Sequence, residues 1–366
     1  MTDVGKDAVR VREALPADAV ALVDVIMTIN EETEFLGTSE DRPMWAEHPE
    51  RGLGEMRERG TGVYFIAIEG DEIVGFLGAF PGNFARTRGI VYVAHVGLRA
   101  AHRGRGIGPR LFEAIDAWAL ARSGRRLELR VDVGNPRALA LYRRAGFAIE
   151  GRVPDASLID GAWHDHYWMS RPLAPEREPR WAAVDLRPPA GRAPVGPVIV
   201  RAIEPSDAAR VRAWERAILG DGPFYVKQVH EQAPVAQVAK EIAESARNHR
   251  HFVRGAFTGA HGHERLLGHA GAWFDPWSRS RHDGWVNVNV LREASGLGIG
   301  RRLWAEIEAW AREHGARRLS GAVQAHNLRG LGFAEAAGFR REALARNYVI
   351  IDGRSADRVR LGKVLT

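Results

Sequence analysis

The chain has 366 residues, 45% of them hydrophobic and 27% charged, an ordinary globular composition with enough apolar material for two cores. It contains no cysteine, which excludes disulfides, thiolate metal sites and a cysteine nucleophile. The formal charge of +6 rests on 52 basic residues, of which only Lys6, Lys227, Lys240 and Lys363 are lysines. The arginines are scattered among Asp and Glu, so they predict a solvated surface and no nucleic-acid partner, with at most a field that draws an anionic cofactor to a cleft. No apolar run approaches the ~18 residues of a membrane span, and the polar opening MTDVGKDAVRVREA does not read as a secretory signal. The expectation is a cytoplasmic protein with no membrane partner.

In chain order, VRVREAL reads as a strand and PADAVALVDVIMTINEE as a helix. GVYFIAIEG and EIVGFLGAF form a predicted hairpin about Gly70 and Asp71, and IVYVAHVGL is the next strand. After a glycine-rich turn, Leu111, Ile115, Trp118 and Ala119 recur at helical spacing, the stripe of a helix laid on a sheet. LELRVDV is a strand, Asn135 and Pro136 supply an N-cap and an N1 proline, and Gly146 closes the helix they begin. The order is β–α–α–β–β–β–α–β–α–β, a mixed α/β layer.

That order occurs twice. HRGRGIGPRLFEAIDAW (His102 to Trp118) returns as ASGLGIGRRLWAEIEAW (Ala294 to Trp310), and Trp118/Trp310, Asn135/Asn327 and Phe147/Phe339 are each 192 positions apart. Pro16 and Pro205 differ by 189. This is a tandem duplication: domains at 1–173 and 197–366, separated by a proline-rich linker at 174–196.

In Arg103-Gly104-Arg105-Gly106-Ile107-Gly108 a strand gives way to a helix within a few residues. Glycines permit positive φ and close approach, and the amides of a helix start form a site for phosphate. A dinucleotide fold is the obvious rival, since Glu128 falls twenty residues after Gly108. The spacing, however, is Gly-x-Gly-x-Gly, and three strands precede the turn.

Strand VGL (96–98), turn RGRGIG (103–108) and NPRALALYRRAGF (135–147), in that order, resemble the GNAT superfamily of acyl-CoA-dependent N-acyltransferases. The likeness covers nearly all of residues 10–171 and more loosely 198–364. It implies two tandem GNAT-like domains, each a mixed, splayed β-sheet flanked by helices (α+β), with acetyl-CoA as co-substrate where two central strands part. The pantetheine arm is expected on the main chain of Val96, Gly97 and Leu98. The diphosphate is expected on the amides of Arg103, Gly104, Arg105, Gly106, Ile107 and Gly108. Pro109, where a residue with an N–H usually stands, suits N1 but removes a donor and is expected to weaken CoA binding slightly. Tyr142 stands where the family has its general acid and is expected to contact the cofactor as well, and Asn135, an N-cap, is also a cofactor contact in the family. The acyl group is expected to pass directly to the amine.

Glu128, Arg130 and Asp132 share one strand face, and Glu128 is the expected base, acting through a water. Glu31, Glu32 and Glu34 lie where the family walls the acceptor amine. No metal is expected: His164/His166, His249/His251 and His261/His263 lack a third ligand and read as packing or surface residues. In the second copy Tyr142, Glu128 and Arg103 become Ala334, Ser320 and Ser295. Gly296, Gly298, Gly300 and Arg301 retain the turn, so the second copy is expected to be non-catalytic, either buttressing the first or binding CoA without turnover. The leading expectation is an N-acetyltransferase for a small primary amine or amino acid, working as a monomer whose copies stand in for a homodimer. A protein N-terminus or lysine acetyltransferase and a non-catalytic CoA sensor are the alternatives.

Overall fold

The computed structural model describes residues 9–36, 41, 43–175, 180–184, 196–259 and 264–365. The chain divides into two compact units, in the main residues up to 176 and residues from 177 on.

The first unit runs β1 (Arg10–Glu13), α1 (Ala19–Glu31), α2 (Pro49–Arg59), β2 (Val63–Glu69), β3 (Glu72–Pro81), β4 (Ile90–Leu98), α3 (Ile107–Leu120), β5 (Arg126–Asp132), α4 (Pro136–Arg144), β6 (Ala148–Ile159) and β7 (Ala162–Pro172). The sheet order is β1-β2-β3-β4-β5-β7-β6, antiparallel except for β4 beside β5. The sequence order above ends one strand early. After α4 the chain forms a hairpin, turning at Asp160 and Gly161 with φ of 49° and 80°.

The strand β2 is apolar at nearly every position because it is covered on both faces. Tyr64, Ile66 and Ile68 pack with Leu22, Ile26 and Ile29 of α1. Val63, Phe65 and Ala67 pack with Ile107, Leu111 and Ile115 of α3. The stripe read from the sequence is the buried face of α3: Leu111, Ile115 and Ala119 are fully buried and Trp118 nearly so.

Asn135 caps α4, its Oδ1 accepting the Ala138 amide at 3.0 Å. At the other end Gly146 takes φ 84°, and the Phe147 amide returns to the Tyr142 carbonyl at 2.9 Å. Pro109 does not sit at N1. The helix α3 is capped by Gly106, so Ile107 is N1 and Pro109 is N3, still within the turn whose amides have no helical partner.

The second unit repeats the plan with β8 (Val198–Ala202), α5 (Ala208–Gly220), α6 (Val235–Arg247), β9 (His251–Thr258), β10 (Arg265–Phe274), β11 (Asp283–Val290), α7 (Ile299–Glu313), β12 (Arg318–Gln324), α8 (Leu328–Ala336), β13 (Arg340–Ile351) and β14 (Arg354–Val364). Asn327 caps α8 as Asn135 caps α4, through the Gly330 amide at 2.9 Å. Of the stretch read as a linker, residues 180–184 lie along this unit. The Trp181 amide donates to Ser355 at 3.0 Å and the Val184 amide to His326 at 2.8 Å.

Replacing Asn135 by Ala should lower the stability of the first unit by about 1 kcal/mol, the usual effect of a lost N-cap. A urea titration followed by far-UV circular dichroism measures it, and no change would mean that the cap carries none of α4.

Candidate active site

The site begins where two parallel strands stop pairing. The contact between β4 and β5 is limited to Ile90, Val91 and Tyr92 beside Arg126, Leu127 and Glu128. Beyond Tyr92, β4 keeps its β3 partner, while β5 follows β7 to Asp132. Along β4 the register to β3 skips Ala94, which bulges between His95 and Val93. A bulge leaves an unpaired residue and bends its strand. The Arg99 amide donates to Val74 on β3 at 3.0 Å, so by alternation Val96 and Leu98 turn their amides and carbonyls towards the gap. Gly97 must be small: a Cβ there would stand 2.9 Å from both Ile29 and Phe76.

At the outer end of β4 lies the glycine turn. Gly104 and Gly106 take φ of 78° and 76°, and neither has any atom within 4 Å of the place a Cβ would occupy. The glycines therefore answer the backbone conformation and leave open space beside it. Gly108 serves packing, since a Cβ would meet Leu141 of α4 at 3.0 Å. The two arginines are tied down. Arg103 donates through Nε to the Leu98 carbonyl at 2.9 Å and through Nη2 to Glu32 at 2.8 Å. Arg105 and His102 both bind Glu69, and the Arg105 guanidinium holds that carboxyl below the usual range. In the second unit Ser295 Oγ donates to the Leu291 carbonyl at 3.2 Å. Arginine and serine thus anchor the same turn to its strand with different reach.

Tyr142 lies on the α3 and α4 face, with ring centroids 5.9 Å from Phe112 and 6.0 Å from Phe147. Burial pushes its phenol well above the ordinary tyrosine range, and Tyr92, at the last paired register of β4, adds to the shift. The phenol is therefore held in its protonated form.

Leu127, Leu129 and Val131 point into the same core as Tyr142. Glu128, Arg130 and Asp132 consequently face the other side of the sheet, the side of α1. Glu128 stands where the strands still pair. It is 4% exposed and 3.6 Å from Arg126, which also binds Glu150 at 2.8 Å. The second unit keeps this arrangement with the acid moved: buried Arg318 sits between Asp283 at 3.3 Å and Glu342 at 2.8 Å, with Ser320 at the Glu128 position.

Four residues beyond Glu128, where the sheet has opened, Asp132 binds the Gly134 amide at 2.6 Å through Oδ1 and His164 Nδ1 at 2.8 Å through Oδ2. His166 lies 3.8 Å from the same Oδ2 and shares a 3.0 Å hydrogen bond with Ser157. Sequence reading missed this pairing and assigned both histidines to packing. Strand alternation put His164 and His166 on one face of their strand and Asp132 on a face of another, but the pairing of β5 with β7 that brings those faces together was not legible. Of the three acidic residues expected at the acceptor wall, Glu32 is committed to the Ala100 amide at 2.7 Å and to Arg103, while Glu31 and Glu34 are exposed. Phe35 lies beside the turn after β5, its ring 3.9 Å from the place of a Cβ on Gly134. Among the described residues no group of three or more His, Cys, Asp or Glu is arranged to hold a metal. His249 and His251 are exposed, and His261 and His263 lie outside the described residues.

Both halves match one family pattern, described as the acetyltransferase (GNAT) family, over residues 26–147 and 214–339. The chain belongs to the GNAT family. An L-methionine sulfoximine/L-methionine sulfone acetyltransferase from Pseudomonas aeruginosa is 33% identical over 80 residues, 22% of this chain and 46% of the relative. That match spans about half the length of the relative. A ribosomal-protein-serine acetyltransferase from Escherichia coli is 25% identical over 171 residues, 43% of this chain and 93% of the relative. Among solved structures, a GNAT acetyltransferase from Streptococcus pneumoniae is 26% identical with a TM-score of 0.43, covering 46% of this chain and all of that one.

The two GNAT repeats differ at the site in an orderly way. The second opens at the same register, Trp285 beside Ser320, and its Gly296 and Gly298 take φ of 79° and 76°. Its β11 has no bulge against β10. Gly300 again makes room for its helix neighbour, here Phe333 at 3.1 Å, and Arg301 occupies the N3 position that Pro109 has in the first repeat. Ala334 stands in place of Tyr142.

A buried phenol of this kind should ionise later than exposed tyrosines, which titrate near pH ~10. Comparing the tyrosinate absorbance of the parent with Tyr142→Phe as pH rises should show no difference through the range in which exposed tyrosines ionise; burial also raises Tyr64 and Tyr225, so the difference should emerge only above it. A difference at or below the ordinary range would mean that Tyr142 is solvated.

Proposed function

We propose that the first unit, residues 1–173, moves an acetyl group from acetyl-CoA directly to the primary amine of a small molecule or amino acid. The observation that carries this reading is the opening between β4 and β5, with the glycine turn and a buried phenol on one face and carboxylates on the other. The main chain of Val96, Gly97 and Leu98 receives the pantetheine arm, with the Leu98 carbonyl shared with Arg103. The amides of Arg103 to Gly108 receive the diphosphate, helped by the positive end of α3. Asn135 holds the start of α4 and contacts the cofactor beside it.

Transfer needs an uncharged amine, a stabilised oxyanion and a proton for the departing thiolate. Main-chain amides of β4 along the opening donate to the oxyanion, where fixed donors in a dry site act most strongly. Tyr142 supplies the proton to sulfur. The base belongs to the α1 face, where Glu128 and the Asp132–His164 pair stand. The stretch with Glu31, Glu32, Glu34 and Phe35 forms the acceptor wall.

The amino-acid analogues in the name of the Pseudomonas relative support a small, amino-acid-like acceptor. A second reading, acetylation of a protein, is supported by the E. coli relative, whose name gives a ribosomal protein as its target. The second unit, residues 197–366, retains a phosphate-binding turn at Gly296, Gly298, Gly300 and Arg301 and has no residue in the role of Tyr142. It binds CoA without turnover.

Thiol release from acetyl-CoA across a panel of amino acids, polyamines and peptides tests the reading. Tyr142→Phe should lower kcat by about 10²-fold if the phenol is the acid, with acetyl-CoA affinity unchanged. Equal turnover removes Tyr142 from the mechanism.

A further inference from the structure

We infer that His164, oriented by Asp132, is the group that takes the proton from the acceptor amine, and that Glu128 is the counter-charge of Arg126. This rests on the acetyl-transfer reading above and names the base it leaves open.

The geometry of the pair defines its chemistry. A carboxylate only accepts hydrogen bonds, so the 2.8 Å contact to Asp132 Oδ2 makes Nδ1 of His164 the donor. The lone pair is thereby left on Nε2, the basic tautomer. Asp132 is itself fixed by the Gly134 amide at 2.6 Å and is 4% exposed, whereas the His164 side chain is 27% exposed. Among the described residues Nε2 of His164 has no hydrogen-bond partner. An inner carboxylate thus aims an imidazole whose free nitrogen meets the outside. Asp132 of β5 binds the imidazole, Ser157 of β6 is its register partner, and His166 shares its face of β7; Arg130 stands on the same face of β5, and Phe35 lies over the neighbouring Gly134.

Location separates this pair from Glu128. Glu128 lies at the last register where β4 and β5 pair, beside Arg126 at 3.6 Å. Asp132 lies four residues further, on the opened part of the sheet.

The duplication supplies an internal control. The second unit keeps what its fold needs: a buried arginine between two carboxylates, the Asn cap, and the positive-φ glycines. Aspartates Asp165 and Asp357 likewise both hold a β-bulge, through the amides of Asp155 at 3.0 Å and Asn347 at 2.8 Å. The registers Asp132 to His166 and Ser157 to His164 are matched by Gln324 to Arg358 and Val349 to Ala356. So the copy that lost Tyr142 also lost Asp132, His164 and His166 together. The counter-charge for the buried arginine survived there by moving to Asp283, which marks the charge at Glu128 as a structural requirement.

In the step, Nε2 of His164 removes a proton from the amine nitrogen as that nitrogen bonds to the acetyl carbon. The carbon–sulfur bond breaks, and the thiolate takes the Tyr142 proton. The imidazolium gives its proton to water and the phenolate regains one from water.

The test uses the full chain, with thiol release from acetyl-CoA on the best amine of the panel. His164→Asn should lower kcat about 10²-fold or more at neutral pH, with the KM for acetyl-CoA and the thermal midpoint at parent values. Imidazole in the buffer should restore part of the activity of His164→Ala. Asp132→Asn, a change at a positioning residue, should shift the acidic limb of the pH–kcat profile. Parent-level kcat in His164→Asn, with the loss falling on Glu128→Gln instead, overturns the assignment and leaves the acetyltransferase reading standing. No turnover of any amine by the parent overturns both.

Discussion

The first unit depends on an interrupted parallel contact. Three residue pairs join β4 to β5, and then each strand keeps only its outer neighbour. Unpaired main-chain groups are costly when buried away from water, so an opening of this kind persists where something polar occupies it. The rest of the site is arranged around that gap. A glycine turn closes its outer end, a phenol lies under one face, and acidic and imidazole groups lie under the other. In the transfer we propose, donor and acceptor stand on opposite faces of the sheet, which would let them reach one reaction centre through the gap without neutralising each other.

Duplication separates what folding needs from what chemistry needs. The two units share the three-pair register, the Asn caps, the left-handed glycines and a buried arginine with two carboxylates. They differ in the bulge of β4, in Tyr142, and in the Asp132–His164 pair. The bulge is one extra residue: Ile90 and Asp283, which start the parallel contacts, are 193 positions apart, whereas Asn135 and Asn327 are 192 apart. The fold does without this insertion in the second unit, and it is present only in the unit that also has Tyr142 and the Asp132–His164 pair.

Much of this was legible in the sequence because its signals are local. The α3 stripe, the Asn135 cap, the Gly146 stop and the hairpin at Gly70 follow from period and backbone preference within a few residues. The glycine turn was equally readable, since positive φ restricts residue choice. The hidden parts were long-range. The final hairpin brings β7 beside β5, which joins Asp132 to His164 across 32 positions. Glu128 was read as the base because its partner Arg126 and the further acid Glu150 meet only in the folded sheet. Glu32 likewise turned out to anchor the glycine turn through Arg103. The bulge left a trace, the change of offset from 193 to 192, which aligning β4 with β11 residue by residue would have shown.

Amide hydrogen exchange on the full chain, with and without CoA, tests the central claim most directly. Protection should rise along residues 94–98 and 104–108 and stay flat across β2 and β3, because those first amides are the ones the gap and the turn leave open. Saturating CoA that leaves both stretches unprotected, with protection appearing elsewhere in the first unit, would contradict the account.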